Sequence, residues 1–488
     1  MTARSRTSLL AVLASVAALA TWQGVSADGA GQAAAPAGQA AARPAPHVFP
    51  DQGPMTLALT GDSIIVQALS PHKEPEFTRL IDLIRGADAA FTNLEMLFHD
   101  YEPFPSTQSG GTYMRGDPSL AKELVWAGFD LVAQANNHTN DYGAEGAQLT
   151  DKYVRQAGLV GAGFGNSLRE AREARYLETD KGRVALVAVS SSFPDPSRAG
   201  DSWGDTKARP GLAPLRFRTT QVVTKAQFDA LQAAVKGAGI PQGGGGGGEG
   251  GGGAAAASAT EMTVLGRRFV VGDKAEVRTE PLKEDVEAMA AVVGNANRQA
   301  DYVIVSSHTH ENGGNRHVPP EFFVSFARRM VDAGADAIVT SGPHVLRGIE
   351  IYKGRPIFYS LGDFIFQNET LLRQPPENYQ PFDMPMSSGV GDFNDQRTGN
   401  GSRGFPADPM IFESVVAMPT FVGERMTELK LQPISLGYGQ PRSKRGRPVL
   451  ADPTLSKKII EDLQKFSLPY GTKIEFRDGL GIVMLAGS

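Results

Sequence analysis

Apolar runs of strand length alternate with segments of helical spacing between residues 55 and 340, and several of the runs stop at a polar cluster. Residues 55–60, 88–92, 129–133, 183–190, 301–306 and 336–340 are short runs rich in aliphatic and aromatic side chains, which is a strand signal. Between them, 76–85 places Phe77, Leu80, Ile81 and Ile84 at helical spacing, and 118–126, 144–157, 282–298 and 321–333 also read as helices. Gly128, Gly158 and Gly334 stand where those helices should stop. Such alternation restricts the chain to an α/β architecture of central β-sheets layered with flanking helices. In open α/β sheets, ligands collect outside the carboxyl ends of the strands. Four polar clusters lie there: Gly61-Asp62, Asn93-Leu94-Glu95, Asn136-Asn137-His138 and Ser307-His308-Thr309-His310-Glu311. A fifth, Gly342-Pro343-His344, follows the run 337–339.

The residue types in these clusters point to a metal site. Only eight histidines occur in the chain, and four of them fall here. Carboxylate, amide and imidazole arriving from separate strand ends form the donor set of a divalent ion. Glu95 sits in the otherwise apolar stretch 91–98, and a buried carboxylate requires a metal or a partner such as Arg115. Asn137 and His138 add an amide oxygen and an imidazole. His308 and His310 share one side if the strand continues that far. His310 then orients a ligand and joins His138 as a candidate catalytic group, whereas Asp62, Glu95, Asn137, His308 and His344 are candidate metal ligands. Arg115 and Arg347 are candidates for gripping a carboxylate or phosphate, because a planar guanidinium matches such groups in a bidentate manner.

Composition removes several alternatives. The chain has no cysteine, which excludes disulfides, thiolate ligands, a cysteine nucleophile and a lipoprotein anchor. A net charge of −5 without a basic stripe gives no reason to expect nucleic acid as a partner. No Gly-x-Ser-x-Gly elbow is present, and the glycine run 243–248 lacks the Lys-Ser/Thr of a phosphate-binding loop. At the N-terminus, Arg4 and Arg6 precede an apolar run over 9–20 and Val25-Ser26-Ala27. Residues 1–27 therefore read as a cleaved secretory signal leading to a periplasmic or secreted protein, the alternative being an uncleaved membrane anchor with the domain facing outward. Residues 28–50 read as an Ala/Gly/Pro-rich tether, and 51–440 as one domain. Within it, 243–257 is a Gly/Ala-rich insertion flanked by elements of one sheet, 349–359 is a hairpin, and 384–405 is a long mobile loop. Residues 441–488 form an extension packed on the domain as a cap or an extra edge.

The clusters also carry a resemblance. Leu59-Thr60-Gly61-Asp62, Asn93-Leu94-Glu95, Ala135-Asn136-Asn137-His138-Thr139-Asn140-Asp141-Tyr142-Gly143, His308, Gly342-Pro343-His344-Val345 and Ser360-Leu361-Gly362-Asp363-Phe364 resemble the CapA family of poly-γ-glutamate capsule-biosynthesis proteins over roughly residues 55–367. That family is similar in turn to calcineurin-like metallophosphoesterases. The resemblance implies a layered metallophosphoesterase-like fold and one or two divalent ions, Mn, Fe or Zn. Asp62 would bind one ion, Glu95 would bridge, Asn137 would bind the second, His308 and His344 would complete the set, and His138 would face the substrate. It implies an anionic polymer or phosphoester as substrate, a metal-dependent hydrolytic step, and a membrane complex of capsule synthesis as partner. A stand-alone envelope metallophosphoesterase and a non-catalytic polyanion-binding component are the alternatives. Family members often have His-Pro-His where this chain has Gly342-Pro343-His344, so the implied ligand set is one short, and Asp363 stands where asparagine is common.

Overall fold

The computed structural model describes residues 53–240 and 258–485. The segments read from the sequence as a secretory signal (1–27), a tether (28–50) and a Gly/Ala-rich insertion (243–257) lie outside the described residues.

Two large sheets face each other. The first contains the parallel strands β1 (Met55–Ile64), β2 (Ala89–Leu94), β3 (Leu131–Ala133) and β4 (Val160–Ala162), in that spatial order. The second is built on the parallel strands β5 (Gly182–Ser190), β6 (Tyr302–His308) and β7 (Ala337–Ser341), with β6 in the middle. The first sheet continues past β1 through β8 (Asp363–Phe366), β9 (Glu413–Val422) and β10 (Arg425–Ser435). β9 borders the first half of β1 in antiparallel fashion and β8 borders its end in parallel.

Alternation along the strands sorts side chains into layers. Leu57 and Leu59 of β1, Phe91 of β2 and Leu131 of β3 meet Leu186, Ile304 and Val339 of the second sheet in one buried core between the sheets. Ala58, Ala90 and Val132 point the other way, onto Phe77, Leu80 and Ile81 of the helix Pro75–Arg85 and Leu124 of the helix Leu120–Ala127. On the far side, Val187, Val305 and Ile338 pack on Met289 of the helix Lys283–Asn297 and on Phe326 and Met330 of the helix Glu321–Ala333. The result is a helix–sheet–sheet–helix sandwich, the layered architecture expected from the sequence. Each fully buried Phe or Leu in it contributes roughly 1.5–3 kcal/mol of transfer free energy.

The structure adds detail to the sequence reading at three places and changes it at one of them, the segment 384–405. The strands Phe217–Val223, Glu261–Val264, Arg267–Val271 and Glu276–Pro281 do not join the large sheets; they form a separate four-stranded sheet. Its small core of Phe228, Val235, Met262 and Val264 rests on the helix Lys225–Gly237. Only one face has apolar side chains to bury, and Arg218, Arg268 and Arg278 occupy exposed positions, so this sheet cannot enter the sandwich. The segment 384–405 is also more than a loop, since it contains the helix Val390–Thr398, which buries Phe393. Finally, the C-terminal extension supplies edge strands: Leu480–Val483 pairs with β10, and Ile474–Arg477 pairs outside it.

Candidate metal centre

All the polar clusters arrive at the carboxyl ends of β1, β2, β3, β6 and β7, where the two sheets meet. Asp62 sits near the end of β1. A Cβ on Gly61 would lie 1.7 Å from the carbonyl oxygen of Gly362, so only glycine allows β8 to approach β1 this closely. The register of β1 against both β2 and β8 shifts beside Asp62, and an irregularity of this kind re-aims a side chain. Asp62 Oδ1 accepts from Asn93 Nδ2 at 2.6 Å, and Oδ2 accepts from the Gly342 N–H at 2.8 Å. His308 Nδ1 lies 3.5 Å from Asp62 Oδ1.

Glu95 is the hub. Its Oε1 lies 3.6 Å from His308 Nε2, 3.7 Å from His138 Nε2 and 3.9 Å from His344 Nε2. Both of its carboxylate oxygens are buried and have no hydrogen-bond partner among the described residues. Two of the imidazoles are held from behind by carboxylates: His138 Nδ1 by Asp141 Oδ2 at 2.7 Å, and His344 Nδ1 by Asp363 Oδ1 at 2.8 Å. A carboxylate behind a histidine fixes its tautomer and turns the other ring nitrogen toward an ion or substrate. Asn137 donates its Nδ2 to the Gly110 carbonyl at 3.1 Å, while its Oδ1 is buried without a partner.

The electrostatics are those of a cation site. Burial pushes the Glu95 carboxyl well above its usual value, and the neighbouring Asp62 and Asp363 push it further against the pull of His344. Burial also raises Asp363, reinforced by Asp62 and opposed by His344, to about 6. Burial would raise Asp62 too, but His308, His344 and the Gly342 N–H outweigh it and hold this carboxyl well below the usual range. Burial disfavours the charge on His344, yet Asp363, Glu95 and Asp62 overcome it and raise the imidazole to about 10. Burial keeps His308 and, more strongly, His310 below the usual imidazole value. Three buried carboxylates thus share a space with neutral or acid-paired imidazoles. A divalent ion fits this donor set: it supplies the missing partner for the orphaned Glu95 oxygens and relieves the repulsion among the carboxylates. Ligand atoms of Glu95, His310 and His344 lie within 4.8 Å of one another, as do those of Asp62, Glu95, His344 and Asp363.

Asp62, Glu95, His138, His308, His310 and His344 are therefore brought together. Asp363 and Asp141 appeared in the sequence only within the family motifs, without a role at the site. Asp363 is the register partner of Asp62 on the adjacent parallel strand, and its signal is Gly362-Asp363 repeating Gly61-Asp62. Asp141 stands three residues after His138, a spacing that lets one turn join them. The two arginines take other places. Arg115 donates to the His99 carbonyl at 2.6 Å and to Asp100 at 2.9 Å, and its guanidinium lies over Tyr101. Arg347 is fully buried, and it donates to the carbonyls of Arg316 and Glu311, both at 2.8 Å, and more weakly to those of Thr309 and His310. Those bonds hold the turn that carries His310 and leave Arg347 no open edge for an anion.

Position 342 is explained by the same turn. His310 Nε2 lies 2.9 Å from His308 Nε2. A Cβ on Gly342 would come within 3.0 Å of the Thr309 nitrogen and 3.2 Å of the His310 ring, and Gly342 has a φ of +112°. The His310 imidazole fills the room a side chain at 342 would need, and it brings an imidazole to that side of the cluster from another strand end. Gly342→Ala is expected to cost about 1–3 kcal/mol, from backbone strain and the crowding of His310. Urea unfolding of the two proteins measures this, and equal midpoints would contradict it.

The span that carries these residues is shared with known proteins. The family described as bacterial capsule synthesis protein PGA_cap matches residues 56–368, a span that contains the whole cluster from Asp62 to Asp363. An "uncharacterized protein y4uA" of Sinorhizobium fredii is 35% identical over 443 residues, covering 88% of this chain and 93% of that one. The PGA biosynthesis protein CapA of Bacillus subtilis is 45% identical over 298 residues, 58% of either chain. The capsule biosynthesis protein CapA of Bacillus anthracis is 25% identical over 292 residues, 59% of this chain and 53% of that one.

Proposed function

This chain belongs to the bacterial capsule synthesis protein PGA_cap family, and on that premise we propose that it acts in poly-γ-glutamate capsule biosynthesis as a metal-dependent hydrolase of the anionic polymer. The observation that carries the reading is Glu95, whose two buried, unpartnered oxygens lie among Asp62, Asp363 and four histidines. Asp62, Glu95, His308, His344 and Asp363 would hold one or two ions of the Mn, Fe or Zn type, with His310 at their edge and Asn137 offering its free oxygen. A bound ion of this kind polarises a carbonyl oxygen and lowers the pKa of water.

The chain's own groups do the rest. Asp141 holds His138 Nδ1–H, so Nε2 faces the Glu95 side of the site. There it takes a proton from the attacking water and returns it to the leaving amine, the ordinary service of a general base and acid. Arg347 fixes the turn that carries His310, and Asn93 and Gly342 keep Asp62 aimed inward. Among the described residues no helix is long and apolar enough to cross a membrane. The N-terminal segment, in this reading, exports the domain to the cell envelope, where a membrane-bound capsule-synthesis complex would deliver polymer to it.

The test is cleavage of γ-linked glutamate oligomers by the Mn²⁺-loaded protein, followed by chromatography of chain length. His138→Gln is expected to lower kcat by about 10²–10⁴-fold while leaving metal content unchanged. Turnover in His138→Gln equal to wild type would remove His138 from the mechanism. Absence of any chain shortening in the loaded wild type would remove hydrolysis from the function.

A further inference from the structure

At the end of the family-matched span and just beyond it, residues 368–406 build a cavity of 240 Å³ lined in part by Asn368, Glu369, Asn394, Arg397, Thr398 and Phe405. It lies one ring away from the metal cluster, because Phe405 lines the cavity and its ring stands 5.3 Å from that of His344. The cavity is smaller than the roughly 300–1,000 Å³ typical of sites for drug-sized ligands, and it suits a unit about the size of one amino acid.

Two of its groups ask for a ligand. Asn368 is only 5% exposed, and its Oδ1 is buried with no hydrogen-bond partner among the described residues. A buried amide oxygen left in that state is costly unless something donates to it. Arg397 donates Nη1 to Thr112 Oγ1 and packs against Phe393. Its remaining donors meet no protein acceptor among the described residues. The one carboxylate in the lining, Glu369, is already held by Arg445, with Arg442 at 3.5 Å. Glu369 attracts Arg397 through space without hydrogen-bonding to it, so the guanidinium keeps donors for an anion. Asn394 and Thr398 are tied into the helix and the chain beside it, Asn394 Nδ2 to the Glu369 carbonyl at 3.0 Å and Thr398 Oγ1 to the Asn394 carbonyl at 2.7 Å, so the wall is held in place before any ligand arrives.

We propose that this cavity is a subsite for one acyl-amino-acid unit, its carboxylate on Arg397 and its amide N–H on Asn368 Oδ1. A γ-linked glutamyl unit presents that pair of groups, since its free α-carboxylate and its amide nitrogen are bonded to the same carbon. Assigning the unit to a polymer rests on the function proposed above. The subsite would then hold one unit of the chain while the neighbouring linkage lies at the metal cluster, and it would explain why a segment outside the matched span folds against His344.

Calorimetric titration of the full chain with a γ-linked glutamate trimer and, separately, with N-acetylglutamate tests the proposal. Arg397→Gln and Asn368→Leu serve as variants, and their circular dichroism and Mn²⁺ uptake serve as controls for fold and cluster. Both variants are expected to weaken binding at least tenfold with Mn²⁺ uptake unchanged. Trimer binding that is equally tight in wild type and both variants overturns the subsite and leaves the polymer reading standing. N-acetylglutamate binding that depends on Arg397, with no affinity for the trimer, supports the subsite and overturns the polymer reading. Binding of neither probe to the wild type overturns the subsite.

Discussion

Replacing Glu95 with glutamine is expected to act in opposite directions on the metal-free and the metal-loaded protein. In the metal-free state the Glu95 carboxyl is buried beside Asp62 and Asp363, and its oxygens have no partner. Removing the ionisable group removes the cost of burying that carboxylate beside two others, or of protonating it, and should stabilise the fold by about 1–3 kcal/mol. With ion present the sign reverses. An ion at about one hundred times its Kd stabilises the wild type by about 2.7 kcal/mol, and the variant loses a central ligand and with it at least a hundredfold in affinity. Thermal unfolding with chelator and with Mn²⁺ reads both effects. The account predicts that wild type melts below Glu95→Gln in chelator and above it in Mn²⁺. The same order in both conditions would mean that Glu95 serves the fold and not an ion.

Asp285→Asn is expected to destabilise the domain by about 3–5 kcal/mol, the range for breaking a buried ion pair from one side. Asp285 is fully buried in the first turn of the helix Lys283–Asn297. Its Oδ2 accepts from the main-chain N–H of Arg216 at 2.9 Å and from Arg216 Nε at 2.8 Å, and its Oδ1 accepts from Arg216 Nη2 and from Arg172. This one carboxylate ties the entrance of the small sheet to the outer helix of the second large sheet. Burial would raise its pKa, but the Arg216 bonds and the Arg172 charge outweigh it and hold it below the usual carboxylate value. A depressed folded pKa gives stability that is complete above the unfolded value of about 3.9 and lost as pH falls through the folded value. The gap between wild type and Asp285→Asn in chemical unfolding should accordingly be full at neutral pH and shrink below about pH 3.9. A gap that is small at pH 7, or that grows in acid, would contradict this assignment.

The sandwich was legible because local rules suffice for it. Leu57 and Leu59 alternate with Ala58, and Val303 and Val305 with Ile304, so strand and face could be read from a few residues at a time. The cluster was legible for a related reason: Asp62, Glu95, His138 and His308 interrupt or end apolar runs, and a polar group in such a place needs a partner. Asp363 was noted only as a departure from the family motif and given no role, because its pairing with Asp62 joins residues 301 positions apart across two parallel strands. Arg347 was misread for another reason. Its partners are main-chain carbonyls, and those carry no sequence signature, whereas an arginine near a cluster of site residues invites an anion. The small sheet was hidden by its charged exposed face and by the glycine tract beside it. In 384–405 the Gly and Asn content masked the nine-residue helix around Phe393.

The most direct test of the central claim is metal content by mass spectrometry of the full chain, dialysed against Mn²⁺ and separately against Zn²⁺, for wild type, His308→Ala and Glu95→Gln. The account predicts near-stoichiometric or higher ion in the wild type and a loss of most of it in both variants at unchanged circular dichroism. A wild type that stays empty in both metals, or variants that hold as much ion as the wild type, would contradict it.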